Sequence, residues 1–132
     1  SFWLRRLENH GRKERVVVDE YTIEHILPQN SNLSQAWKDS LGTEWERVRD
    51  TWLHTLGNLT LTGYNSEYSD RVFTEKRDMQ GGFKESPLKL NQGLGLIEQW
   101  NEEEIKTRAK RLSEVATSLW VVPRLAVDIM DA

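Results

Sequence analysis

The chain has 132 residues, 37% of them hydrophobic, and a formal net charge of −3, which fits one globular domain with a buried core. The absence of cysteine excludes disulfides and thiolate zinc sites and is consistent with a reducing cytoplasm. No apolar run approaches the roughly 20 residues of a membrane-spanning helix, and the acidic balance does not favour a free-standing nucleic-acid binder, whose affinity comes mainly from neutralised phosphates.

The first part of the chain predicts a helix followed by extended structure. Residues 2–9 are typical of the end of a helix that stops near Gly11. The chain begins at Ser1 rather than Met, from which we expect the C-terminal fragment of a larger protein. The β-branched residues of VVVDEYTIEHI, residues 16–26, predict extended structure that Pro28 closes.

The middle of the chain predicts helices and then a short strand. We expect helices from Ser34 to Leu56, with Thr43 and Glu46 at capping-box spacing and Gly57 as the stop. The run LTLT, from Leu59 to Thr62, alternates apolar and β-branched residues and predicts a strand.

A further helix is expected directly after this strand. Gly63 breaks the strand, and Asn65 or Ser66 can cap a helix through SEYSDRVFTEKRD, residues 66–78. The Gly81-Gly82 pair is then expected to end this helix.

The last third of the chain is predicted to be helical. Asn101 can cap a helix, with Glu104 at capping-box spacing. One face of this helix is apolar, and for the six tryptophans core packing is a better explanation than stacking on bases. The apolar face comprises Ile105, Leu112, Ala116 and Leu119, and the tryptophans are Trp3, Trp37, Trp45, Trp52, Trp100 and Trp120.

Two segments contain residues that can do chemistry. In TIEHILPQN, Glu24 and His25 end the extended stretch; a carboxylate is a ligand for Mg²⁺ or Mn²⁺, and a neutral imidazole can take a proton from water. In LGNLTLTGYNSEYSD, Asn58 and Asn65 flank the predicted strand. An Asn side chain can bridge two backbone segments or offer its oxygen to a cation. Taken alone, however, such residues are more often a structural histidine, a turn Asn and a helix cap.

Taken together, EHILPQ, LGNLTLT and the NS that precedes Lys76 resemble the GmrSD-type C-terminal nuclease family, a branch of the HNH superfamily. The resemblance covers roughly Tyr21 to Trp120 and extends to Trp100, Ile105, Arg108, Leu112 and Trp120. It implies an α+β fold, a ββα-metal (His-Me finger) core whose two-strand minimal sheet is embedded in surrounding helices. We expect one domain over residues 1–132, with residues 1–15 as the tail of a preceding helical region, 21–80 as the core and 83–120 as C-terminal helices.

The resemblance also implies roles for residues that match the family's motifs. His25 matches the general base, and Asn58 matches the Asn that orders the loop around it. Lys76 matches a lysine that meets a phosphate, and Arg108 an arginine of the late helix that faces the scissile phosphate.

For the metal, the resemblance implies Mg²⁺, with Mn²⁺ as a substitute, held by Glu24 and Asn65. Asp70 stands where many relatives have Asn, and the spacing of the motif leaves Glu67 or Asp70 open as the helix-borne ligand. His54 is interpreted as a structural residue that could approach the site.

The function implied by the resemblance is a metal-dependent DNA endonuclease that acts in bacterial anti-phage restriction. Its partners would be double-stranded DNA and an N-terminal nucleotide-hydrolysing, DNA-sensing module of the same protein. A single site cuts one strand, so we expect a nickase. The alternatives are a non-catalytic module that positions DNA or a partner protein, and an unrelated hydrolase of a small molecule; the intact Glu24–His25 pair with Asn58 favours the nuclease.

Overall fold

The computed structural model describes residues 2–10, 21–63 and 68–121 of the chain. This part contains a two-stranded antiparallel sheet and five α-helices, which confirms the prediction of an α+β domain with a minimal sheet. The strands are β1 (Thr22–His25) and β2 (Leu59–Thr62), and the helices are α1 (Phe2–Asn9), α2 (Gln35–Leu41), α3 (Trp45–Trp52), α4 (Phe73–Asp78) and α5 (Glu102–Val121).

The sheet places the end of β1 beside the start of β2. His25 lies opposite Leu59, and Thr22 lies opposite Thr62. One further backbone bond, from Ile26 N to Asn58 O at 2.9 Å, extends the pairing past His25. The predicted strand from Leu59 to Thr62 is confirmed, as is the extended structure of TIEH; residues 16–20 lie outside the described part.

The helices between the strands differ in detail from the prediction. Ser34 caps α2, since its Oγ accepts a hydrogen bond from Trp37 N at 3.2 Å. Gly42 ends this helix with a φ of 91°, a conformation that favours glycine. The predicted capping box of Thr43 and Glu46 is wrong, because the residue before α3 is Glu44 and no side chain caps that helix.

Gly57 was expected to stop a helix, and this prediction is also wrong. Helix α3 ends at Trp52, and Gly57 lies in a 3-10 turn, Leu56–Asn58, that leads into β2. A Cβ atom on Gly57 would lie 2.5 Å from the backbone oxygen of Ile105. Glycine is therefore required here because the turn packs directly against the backbone of α5.

The predicted helix over residues 66–78 is interrupted in its described part. Tyr68 is still helical, Ser69 and Asp70 form a turn, and α4 begins only at Phe73. Ser69 has a φ of 42°, and a left-handed residue cannot continue a right-handed helix. The helix also ends at Asp78, before the Gly81-Gly82 pair that was expected to stop it. The expected caps, Asn65 and Ser66, lie outside the described residues.

The last third is less helical than predicted at its start. Three 3-10 turns, Phe83–Glu85, Lys89–Asn91 and Leu94–Leu96, precede the single long helix α5. The cap at Asn101 is confirmed, because its Oδ1 accepts a hydrogen bond from Glu104 N at 3.1 Å. No helix in the described ranges has the length and apolar character needed to cross a bilayer.

Two clusters of apolar side chains form the core. The larger one holds Trp37 and Trp100, with Trp45 and Trp52 packed against it, so the core role predicted for the tryptophans is confirmed for these four. The smaller cluster joins α1 to β2 and α5 and contains Leu4, Leu7, Leu61, Leu88, Leu90 and Leu112. Helix α1 is therefore an integral part of the domain's packing.

Candidate active site

His25 lies at the end of β1 and faces a cleft of about 340 Å³. The cleft forms where the proline turn after β1 approaches the turn that precedes α4. Its lining combines two carboxylates, an imidazole and two carboxamides, and comprises Ile23, Glu24, His25, Pro28, Gln29, Asn30, Ser69 and Asp70. A cleft on which several polar groups and a titratable residue converge is a candidate catalytic site.

The imidazole of His25 is held at both of its nitrogens. Its Nδ1 lies 3.0 Å from Nε2 of Gln29, and its Nε2 lies 3.0 Å from Nδ1 of His54. Burial, followed by the neighbouring His54 and Lys76, lowers the pKa of His25 to about 4. At neutral pH the ring is therefore uncharged and has a lone pair with which to accept a proton.

Glu24 forms a buried ion pair with Lys76, which comes from α4. Lys76 Nζ lies 2.7 Å from Glu24 Oε2 and also donates to the backbone oxygens of His25 and Ile26, both at 3.0 Å. Burial raises the pKa of Glu24 and lowers the pKa of Lys76, and the attraction between them opposes both shifts. All three N–H groups of the ammonium are thus used to fix the end of β1.

Asn58 anchors the loop behind the site. Its Oδ1 accepts from Leu27 N at 2.8 Å and from Trp100 Nε1 at 3.0 Å. Its Nδ2 donates to the backbone oxygens of Leu27 at 3.0 Å and Leu53 at 2.9 Å. The side chain has no accessible surface, and with four bonds its oxygen and nitrogen are fully satisfied. Asn58 therefore connects the proline turn, α3 and the segment before α5.

Asp70 and Asn30 face each other across the cleft. Asn30 Nδ2 donates to Asp70 Oδ2 at 3.1 Å. This hydrogen bond is the largest of the effects that lower the pKa of Asp70, so the carboxylate is ionised at neutral pH. The left-handed conformation of Ser69 directs the turn so that the residue after it lines the cleft. Asp70, rather than a residue on a continuous helix, thus brings the second carboxylate.

Lys76 and Arg108 have no route to a phosphate in this conformation. Lys76 has no accessible surface, and Arg108 is 3% exposed. The Arg108 guanidinium donates to the backbone oxygens of Leu56, Gly57 and Leu59 at 3.1, 3.2 and 2.7 Å, and to Leu90 O at 3.1 Å. The geometry thus disagrees with the expected direct phosphate contacts, because Lys76 bonds Glu24 and two backbone oxygens, and Arg108 bonds four backbone oxygens.

Sequence reasoning missed three residues around His25. Gln29 and Asn30 follow the EHILP segment directly, and their place in a tight turn after the histidine was a usable signal. Arg49, on α3, donates to the backbone oxygen of Gln29, a contact across 20 residues that no local pattern announces. Asn65 and Glu67, two of the three candidates for the helix-borne ligand, lie outside the described residues. Within the described ranges no three His, Cys, Asp or Glu side chains converge to hold a metal.

Comparison with known proteins gives one family. A family model described as the C-terminal domain of GmrSD restriction endonucleases matches residues 1–115. No curated protein and no solved structure matches the chain.

Proposed function

Because this chain belongs to the family of C-terminal domains of GmrSD restriction endonucleases, we propose that it is a metal-dependent endonuclease domain that hydrolyses phosphodiester bonds of double-stranded DNA. The observation that carries the proposal is the neutral imidazole of His25 in a cleft that it shares with Glu24 and Asp70. A proton acceptor and hard oxygen ligands side by side are what metal-assisted hydrolysis needs.

The donors of the cleft fit Mg²⁺. Lys76 already neutralises Glu24, whereas Asp70 is an ionised carboxylate bonded to a neutral amide. Mg²⁺ keeps several waters and is typically bound through one or two carboxylates together with substrate phosphates. Asp70 and Glu24 would hold the ion, and Asn65 stays a predicted ligand. When bound, Mg²⁺ supplies positive charge that stabilises the charge developing on the phosphate.

The chain's own residues carry out the rest of the reaction. His25 takes a proton from a water whose oxygen attacks phosphorus in line, and the bond from phosphorus to the 3′ oxygen breaks. The 3′ oxygen then takes a proton from solvent, which leaves a 5′ phosphate. Lys76 and Asn58 hold the backbone from His25 onward, Lys76 through the carbonyls of His25 and Ile26 and Asn58 through both polar groups of Leu27.

Lys76 and Arg108 are assigned supporting roles in this proposal. Lys76 neutralises Glu24 and fixes the backbone of His25. Arg108 ties the turn before β2 to the segment around Leu90. Phosphate contacts are then made by exposed groups around the cleft. Arg71 is one such group, because it is exposed and directly follows Asp70 in the sequence.

The proposed product is a nick, because one base and one metal site act on one strand. We also propose an ββα-metal relationship for β1, β2 and the segment that follows, and a role in restriction of phage DNA together with a nucleotide-hydrolysing module. These finer points follow from the resemblance of EHILPQ and LGNLTLT to the family's motifs.

Plasmid cleavage in Mg²⁺ tests the proposed function. We expect His25→Ala to lose ~10²–10⁴-fold in rate, the usual contribution of a positioned general base. His10→Ala, a change at an exposed histidine outside the cleft, should leave the rate unchanged. Asp70→Asn should raise the Mg²⁺ concentration needed for half-maximal rate, and Asp50→Asn, at an exposed position of α3, should not. Equal rates for His25→Ala and His10→Ala would favour a non-catalytic DNA-positioning module instead.

A further inference from the structure

The two nitrogens of His25 face different surroundings. Among the described residues, Gln29 lines the cleft and His54 does not. The Nδ1 of His25 contacts Gln29, and its Nε2 contacts His54. The rings of His25 and His54 meet edge to face, with centroids 5.1 Å apart and planes at 88°. Nδ1 is therefore the nitrogen on the cleft side, and Nε2 points away from it toward an exposed ring.

The hydrogen-bond partners of the His25 ring determine which of its two nitrogens carries the proton. The carboxamide nitrogen of Gln29 can only donate, so His25 Nδ1 must accept. A neutral imidazole has one N–H and one lone pair, so the proton sits on Nε2 of His25 and is donated to Nδ1 of His54 over 3.0 Å.

We propose that His54 is a positioning residue, which holds His25 in the Nε2–H tautomer so that the Nδ1 lone pair faces the cleft as the base. This inference rests on the proposed nuclease function. Gln29 occupies the lone pair in the structure described, and its amide yields to the attacking water. When Nδ1 takes the proton, Nε2–H becomes a charged donor, and its bond to His54 strengthens in step with the reaction.

Arg49 supports this arrangement from α3. Its guanidinium donates to the backbone oxygen of Gln29 and not to the Gln29 carboxamide. The anchor therefore fixes the turn, and only the carboxamide has to leave the imidazole. His54 lies two residues after Trp52, the last residue of α3. Helix α3 and the turn after it therefore carry both Arg49, which holds Gln29, and His54, which contacts His25.

Two variants separate positioning from mere packing. His54→Phe keeps an aromatic ring against His25 and removes the acceptor. His54→Asn places a carboxamide oxygen near the position of the lost Nδ1 and restores an acceptor. Because His54 is exposed, both proteins should fold, which circular dichroism checks.

The readouts are the nitrogen spectrum of His25 and the cleavage kinetics. The chain has three histidines, so His10→Gln and His25→Ala assign the signals of ¹⁵N-labelled protein at neutral pH without metal. We expect the Nε2–H tautomer in the wild type, a mixture in His54→Phe, and the wild-type pattern in His54→Asn. With plasmid and Mg²⁺, we expect His54→Phe to lose roughly 10–100-fold in kcat, as when the hydrogen-bond partner of a site histidine is removed. KM should be unchanged and His54→Asn should recover most of the rate.

Each alternative outcome has a definite meaning. An Nδ1–H tautomer in the wild type, or a His54→Phe variant with unchanged tautomer and kcat, would overturn the inference. A wild-type domain that cuts nothing, but whose Nε2–H tautomer is lost in His54→Phe, would overturn the proposed nuclease function and support the hydrogen-bond assignment.

Discussion

Lys76 Nζ lies 2.7 Å from Glu24 Oε2, and both side chains are buried, with 0% and 5% of their surface exposed. The two residues are 52 positions apart, and the contact fixes α4 against the end of β1. Because the same ammonium also binds the backbone oxygens of His25 and Ile26, the geometry of the site depends on an almost fully buried ion pair.

We expect Lys76→Met to destabilise the domain by about 3–5 kcal/mol, because it leaves the Glu24 carboxylate buried without its counter-charge. The double variant Glu24→Gln/Lys76→Met should recover part of this loss, since no charge is left in the interior. Urea denaturation measures both.

The exposed ion pair of Arg71 and Glu75, at 3.5 Å, provides the control for this cycle. Arg71→Met should change the free energy of unfolding by less than about 1 kcal/mol. The loss in the free energy of unfolding of the double variant could equal the sum of the losses in Glu24→Gln and Lys76→Met. The pair would then have no measurable coupling, and the proposed anchoring of β1 would be wrong.

Asn58→Ala should cost both stability and activity. It removes four hydrogen bonds and leaves buried groups of Leu27, Leu53 and Trp100 without partners; such groups cost about 1–3 kcal/mol each when unsatisfied, so a loss of at least that size is expected.

Asn91→Ala is the matched control for Asn58→Ala. Asn91 is also buried and binds Thr60, Leu61 and Ser86, but it does not line the cleft. We expect it to lower the melting temperature while folded protein keeps its cleavage rate. Full activity of folded Asn58→Ala would show that this side chain does not order the base.

Gly57→Ala tests why glycine is needed before β2. The added Cβ would lie 2.5 Å from Ile105 O and 2.9 Å from Ala109 Cβ, and the backbone of α5 cannot move aside cheaply. We expect a loss of about 1–3 kcal/mol in the free energy of unfolding, the usual cost of overpacking. Gly63→Ala should cost less, because among the residues that the structure describes its Cβ would meet the Tyr21 ring alone, at 3.6 Å. Equal melting temperatures of the two variants would contradict this.

The sequence predicted what local patterns encode. The LTLT strand, the cap at Asn101 and the burial of Trp37 and Trp100 follow from residue type and periodicity. The position of Glu24 and His25 at the end of a strand was likewise visible in TIEH followed by a proline turn.

The rest depends on contacts between distant parts of the chain. A cationic side chain on a predicted helix is normally solvated, so nothing local indicated that Lys76 or Arg108 would be buried on backbone carbonyls. In the sequence Gly57 has the pattern of a helix stop, but the structure requires glycine there because α5 packs directly against it. His54 was interpreted as a structural residue that could approach the site, and its contact with His25, across 29 residues, shows that it does approach the site.

The last prediction concerns what the domain does to DNA. The chain has 21 acidic and 18 basic residues, and two of the basic ones, Lys76 and Arg108, are buried, so the domain has no net positive charge to attract phosphates. We therefore expect weak binding with a shallow salt dependence, since each phosphate contact contributes a slope of about −0.9 to log K against log salt.

One His25 per domain cuts one strand, so supercoiled plasmid should pass to open circle well before linear product appears. Sequence preference should be slight, because no base-reading motif is visible beside the cleft.

A plasmid time course at several enzyme concentrations, with filter binding over a salt series, measures both properties. The His25→Ala variant is the control, because it should bind DNA as the wild type does and cut none of it. Linear product formed at once at low enzyme concentration would require two active sites acting together, against the nicking module proposed. Nanomolar binding at physiological salt would require a basic surface, and −3 is the wrong sign for it. Weak binding with a shallow salt dependence, and nicking by the wild type alone, would instead support a domain whose targeting to DNA is supplied from outside the cleft.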